Sequence, residues 1–181
     1  VCSQLTKERI GTEITKIFSE SQPSSSWKLL ENWDVINFIL PSLSDQFVTH
    51  LQRLERNSNL CSLFHFWILL AFHLSQKERK TNSKFVASHK GLSGLFSKVP
   101  SEMEEIAQKI PQLTTIIESG WLFSKKHPSS LNMLLFIQPS LQENEFVLWW
   151  QSKGQYISSP IQGKDLILLG FPKGPLMGKA L

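Results

Sequence analysis

The chain is predicted to be all-α, an elongated helical bundle, and three observations predict it. Apolar residues recur at helical spacing, as in Ile10, Ile14 and Ile17 near one end and Met103, Ile106 and Ile110 further on. Residues 60–74 are apolar on nearly every face, which suits a helix in the middle of a bundle. Glycine and proline fall where helices start and stop, most clearly at Gly163, Gly170 and Gly174-Pro175. With 181 residues, 41% of them hydrophobic, the chain is able to bury a real core as one domain or two small ones.

Taken in order, Thr6 is the expected cap of a first helix whose buried stripe is Ile10, Ile14 and Ile17. Glu8, Glu13 and Lys16 then lie on its exposed side, and Arg9 is expected to pair with Glu13. The serine-rich stretch 19–25 reads as a loop. Ser26 caps a helix through Trp27, Leu29, Leu30, Trp33, Ile36 and Ile39 that Pro41 stops, and a further helix covers 43–56. The apolar run 60–74 is fifteen residues long, short of the roughly 20 a helix needs to cross a bilayer, and holds two histidines, so a membrane span is not expected. Residues 76–97 read as a loop. Ser101-x-x-Glu104 has the form of a capping box opening a helix, with Pro111 as a kink or break and Gly120 as the stop. Helices are expected over 131–137 and 145–151, although Phe146-Val-Leu-Trp-Trp also suits a strand. Gly163 gives a tight entry to a short helix that Gly170 ends in the left-handed conformation, and Gly174-Pro175 begins another with proline at its first position.

Charge narrows the function classes only slightly. A formal net charge of +4 suits an anionic partner without demanding one. Two cysteines, Cys2 and Cys61, provide no disulfide framework and favour a reducing, cytoplasmic setting. Cys61, His65 and His73 lie at turn spacings on the apolar run but match no zinc pattern, so burial in the core is the favoured reading and no metal site is assigned. Gly91-Leu-Ser93-Gly94-Leu95 lacks the final glycine of a nucleophile elbow and reads as a flexible loop. Glu102, Glu104 and Glu105 are expected at a helix's first turn, facing water. No catalytic residue is assigned.

Binding residues are easier to nominate. Lys77, Arg79, Lys80, Lys84 and Lys90 gather with His89 in one stretch opposed only by Glu78, giving either a phosphate contact or a solvated linker. Lys125, Lys126 and His127 form a smaller group. Lys164, Lys173 and Lys179 flank two expected helix starts in the tail. The six tryptophans are expected to pack the core rather than stack on bases.

The run from Ser159 to Leu181, with Gly163-Lys-Asp165-Leu, Gly170 and Gly174-Pro-Leu-Met-Gly178-Lys-Ala-Leu181, resembles the "G-x-D-L … G … G-P-x-x-G-x-x-L" pattern of the tRNA nucleotidyltransferase and poly(A) polymerase family. Thr6-Lys-Glu8-Arg9-Ile10-Gly-Thr-Glu13-Ile14-Thr-Lys16-Ile17 resembles the "S-x-E-R-I-x-x-E-L-x-K-I" helix of that family's neck. These motifs cover about a fifth of the chain. The resemblance implies the end of a neck over 1–18, a helical body over 19–150 and a truncated tail over 151–181. It implies a partner, tRNA or another RNA, held by the shape of its backbone while a catalytic head outside this chain adds CCA or part of it to the 3′ end. Magnesium and ATP or CTP are implied for that head, with no cofactor in this chain, which alone is expected to be inactive. A poly(A) polymerase of the same family, or a headless helical RNA-binding or scaffold protein, are the alternatives.

Overall fold

The computed structural model describes residues 6–86, 89, 91–157, 163–168 and 170, and among the described residues all regular structure is helical. Helix α1 (Lys7–Phe18) starts as expected, with the Thr6 hydroxyl accepting from the Arg9 amide at 3.3 Å. Ile14 and Phe18 are buried, with Ile10 and Ile17 packed beside them. Glu13 accepts from Lys16 at 2.9 Å, which replaces the expected pair with Arg9. That order, acid ahead of base along the helix, is the one the backbone dipole favours.

The single helix expected from Ser26 to Ile39 is two. Helix α2 (Pro23–Asn32) begins at Pro23, whose fixed φ suits the first helical position, and Ser26 lies inside it. The chain then passes through Asp34 at φ 58° before α3 (Val35–Ile39). Asp tolerates this left-handed conformation better than most residues, and its carboxylate accepts from the Asn37 side-chain Nδ2 at 2.8 Å. Helix α4 (Phe47–Glu55) lies within the expected 43–56. Helix α5 (Leu63–Phe72), capped by Ser62, is central as expected, with Phe66 to Ala71 all buried against α1, α4 and α7.

The stretch 76–97 is not a loop. It forms α6 (Gln76–Thr81), a 3-10 turn (Ser83–Val86) and the start of α7 (Leu92–Lys109), entered through Gly91 at φ 82°. Ser93 is therefore helical, and the expected capping box at Ser101 is absent because α7 runs straight through Pro100 and Ser101. Burial of Phe96, Val99, Pro100, Met103 and Ile106 along one face offsets the hydrogen bond that Pro100 removes. Pro111 does end the helix, in a 3-10 turn (Ile110–Gln112). The true box is Thr115 with Glu118, opening α8 (Ile116–Ser124). Gly120 lies inside α8, where a Cβ would come within 3.9 Å of the Trp149 ring on α10.

Helices α9 (Pro128–Ile137) and α10 (Glu145–Ser152) follow, so Phe146–Trp150 is helical and not a strand. Helix α11 (Gly163–Leu168) ends as expected at Gly170, φ 86°, whose amide donates to the Ile167 carbonyl at 2.9 Å. Gly174-Pro175 lies outside the described residues.

One core joins α1 to α10. Its aromatic centre is Phe18, which meets Trp27, Phe66 and Trp67 with ring centroids 5.7, 5.5 and 5.3 Å away. Trp27 continues to Phe47 at 4.8 Å, so side chains from α1, α2, α4 and α5 share one contact set. At its edge His50 Nδ1 and His73 Nε2 lie 3.0 Å apart, both side chains buried. Desolvation, reinforced by His50, pushes His73 down to about 4. No described helix is long and apolar enough to cross a membrane.

Candidate nucleic-acid interface

The first basic group is built on the face of α1. Lys7 Nζ donates to the Thr81 carbonyl at 2.7 Å and to Asn82 Oδ1 at 3.0 Å. One turn on, Gly11 lets the backbones touch, since a Cβ there would fall 1.9 Å from the Phe85 carbonyl oxygen. Another turn on, Thr15 Oγ1 lies 3.0 Å from His89 Nε2. The segment that carries the nominated lysines is thereby pinned along the first helix.

Lys77 and Lys80, three apart on α6, share its exposed face, and Lys84 is exposed on the following turn, 4.0 Å from Glu8. Arg79 points the other way. It is 3% exposed, with Nε donating to the Leu74 carbonyl at 3.0 Å and Nη2 paired with Glu104. Its guanidinium is a buried tie between α6 and α7, out of reach of a surface phosphate, which corrects its reading as a loop cation. Lys164 is exposed on α11, while Lys90, Lys173 and Lys179 lie outside the described residues. Of the smaller group, Lys126 pairs with Glu105, Lys125 lies 4.4 Å from the centroid of the Trp121 ring, and His127 Nδ1 accepts from the Ser129 amide.

The glutamates expected to face water each have a structural partner. Glu102 is buried and accepts from the His127 amide at 2.8 Å and the Ser130 hydroxyl at 2.6 Å, satisfying donors at the start of α9 from a different helix. Glu104 is paired with Arg79. Glu105 accepts from Lys109 and Lys126, and those bonds hold its carboxyl below the usual range. Cys61 is exposed ahead of α5, His65 is engaged with the Ser62 hydroxyl at 2.7 Å, and His73 with His50, so the three expected core residues do not share one environment. Among the described residues no group of three such side chains is placed to hold a metal ion.

The tryptophans divide. Trp27 and Trp67 are fully buried and Trp149 and Trp150 half-buried, as expected, but Trp33 is 68% and Trp121 59% exposed. Trp33, six residues after Trp27, lies about 120° round the helix from it, and the left-handed break at Asp34 takes the exposed Phe38, which a continuous helix would place on the Trp27 face, off that face. Sequence reasoning also missed Lys7, whose role depends on a partner segment some seventy residues away.

Residues 2–47 match the family described as "Probable RNA and SrmB- binding site of polymerase A". The matched stretch is about a quarter of the chain and takes in α1, α2 and α3. It is the region similar to the poly(A) polymerase family, and through Lys7, Gly11 and Thr15 it carries the lysine-bearing segment. No curated protein and no solved structure matches the chain.

Proposed function

We propose that this chain is an RNA-binding region of a tRNA nucleotidyltransferase-like enzyme, one that holds tRNA while a head outside the chain adds CCA or part of it to the 3′ end. The observation that carries the reading is the similarity of residues 2–47 to the RNA-binding family of polymerase A, in a helix packed directly against an exposed lysine cluster. The proposed contacts are Lys77, Lys80 and Lys84 on that cluster and Lys164, Lys173 and Lys179 in the tail, each neutralising a phosphate and releasing counterions. Residues 1–18, 19–150 and 151–181 are the proposed neck end, body and tail. Magnesium and ATP or CTP belong to the proposed head, and the chain's own part is to bind and orient RNA. That the matched family is a binding site of polymerase A favours a second reading, a poly(A) polymerase with looser choice of RNA.

Fluorescence anisotropy with labelled tRNA and labelled oligoadenylate, each across a salt series, tests both. Salt-sensitive tRNA binding is expected, and Ala at Lys77, Lys80 and Lys84 together should lower the slope of log affinity against log salt by about two to three. Equal affinity for oligoadenylate favours the second reading. Absence of binding to either RNA at low salt refutes both.

A further inference from the structure

Between α4 and α9 lies an open groove of about 920 Å³, at the upper end of the ~300–1,000 Å³ typical of ligand sites. Its lining includes Arg53 and Arg56 from α4 and its end, Asn57 just beyond, Asn132 from α9, Gln142, and Gln151 from α10. Among the described residues no carboxylate lines it. Two acids adjoin lining residues in sequence: Glu143, exposed after Gln142 and outside the lining, and Glu55, which is turned to the far side of α4, where it accepts from the Ser24 amide and, at 2.9 Å, from the Ser24 hydroxyl. With two cations, five amides once Asn59 is included and, among the described residues, no acid, the groove has an electrostatic preference for an anion and many donors and acceptors to offer it.

Arg53 is already oriented. Its Nη2 donates to the Phe136 carbonyl at 2.9 Å and its guanidinium lies 5.0 Å from the centroid of the Phe136 ring. One of five N–H donors is thereby used, and the guanidinium lies over an aromatic ring that backs it. Little side-chain entropy remains to be lost when a second planar group stacks on it or a phosphate meets its free N–H groups. Asn57 spends its Oδ1 on the Asn59 and Leu60 amides, at 3.1 and 3.2 Å, which directs its NH₂ as a donor. Asn132 and Gln151 also border a second hollow of about 390 Å³ lined in part by His127 and Trp150, so the groove continues past its own end.

We infer that this groove binds an unpaired RNA strand, with Arg56 on a phosphate, Arg53 as a stacking plane for a base, and the amides of Asn57, Asn132 and Gln151 on base edges. Amides read bases only where the Watson–Crick edges are free, and Arg planes stack on splayed bases, so the arrangement favours a single strand over a duplex. The inference rests on the RNA-binding reading above and lies outside the residues 2–47 that carry the family similarity.

The test is anisotropy with a short labelled single-stranded RNA and a blunt RNA hairpin stem, using the full chain, Arg56→Gln and Asn132→Asp. Both positions are exposed, and retained melting temperatures establish that the variants fold. Loss of one phosphate contact is expected to weaken single-strand binding about fivefold to tenfold in Arg56→Gln and to lower its salt slope by about 0.7. Asn132→Asp, which places a carboxylate on the groove, should weaken it at least as much, while hairpin binding changes less than twofold for both. Unchanged single-strand affinity in both variants, with the parent chain still binding RNA, overturns the groove and leaves the RNA reading standing. If the parent chain binds neither RNA, both fall. Competition by polyglutamate as effective as by unlabelled RNA also overturns the inference, because the groove would then be a site for any polyanion.

Discussion

Acidification should unfold this protein through His73, by an amount that follows from where the imidazole sits. Burial beside His50, with Phe47 and Phe72 against its ring, moves the group from 6.5 down to about 4, and His50 is itself lowered by desolvation and by Arg53. The folded value lies below the unfolded one, so the unfolded chain binds the extra proton. Stability is therefore fully present above pH 6.5 and is lost as pH falls towards 4. For His73 alone the loss is about 2 kcal/mol at pH 5 and about 3 kcal/mol at pH 4, with His50 adding in the same direction. Urea unfolding followed by tryptophan fluorescence at a series of pH values measures it, because Trp27 and Trp67 are fully buried. The same series on His73→Gln, which takes up no proton, supplies the reference. The wild-type curve should fall more steeply than the variant between pH 6.5 and 4, and an imidazole NMR titration should place His73 well below its ordinary value. Parallel curves, or a His73 that titrates near 6.5, would refute the reasoning.

Two structural predictions complete the set. Gly11→Ala, which on an open helix face would stabilise by up to about 1 kcal/mol, should here cost about 1–3 kcal/mol because the new methyl meets the Phe85 backbone and not a movable side chain; a raised urea midpoint would count against the contact. Glu102→Ala leaves the His127 amide and Ser130 hydroxyl without their acceptor inside the protein and should cost about 2–3 kcal/mol, a fall of roughly 4–12 °C in Tm; a change below 1 °C would show that water replaces the carboxylate.

The elements legible in the sequence were those whose signals are local. Thr6 and the isoleucine stripe lie within one helix, the run 60–74 declares its burial by composition alone, and Gly170 carries its left-handed backbone in its identity. The break at Asp34 and the Glu13–Lys16 pair are local features read wrongly, but the other misreadings share one cause, partners distant in sequence. Arg79 and its neighbouring lysines form what looks like a solvated charge run, and nothing local says that Glu104, on the next long helix, draws one of them inward. Ser101-x-x-Glu104 has the letters of a capping box, yet tertiary burial carries α7 across it, while Thr115-x-x-Glu118 has the same letters and is one. Arg53 and Arg56 drew no attention because isolated arginines on a helix are ordinary; Asn57 and Asn59 follow them in the chain, but the amides that close the groove opposite come from α9, α10 and the turn between.

The three contacts of α1 with the segment 81–89 recur every fourth residue on both sides, and each is chemically different. A cation meets a carbonyl at Lys7, bare backbone meets backbone at Gly11, and a hydroxyl meets an imidazole at Thr15. Sliding α1 by one turn in either direction would bring Lys7 or Thr15 opposite Phe85, where there is no room even for a methyl group. The seam therefore behaves as a keyed joint: one glycine sets the helix's longitudinal position, and the polar contacts on either side engage only when that key is seated.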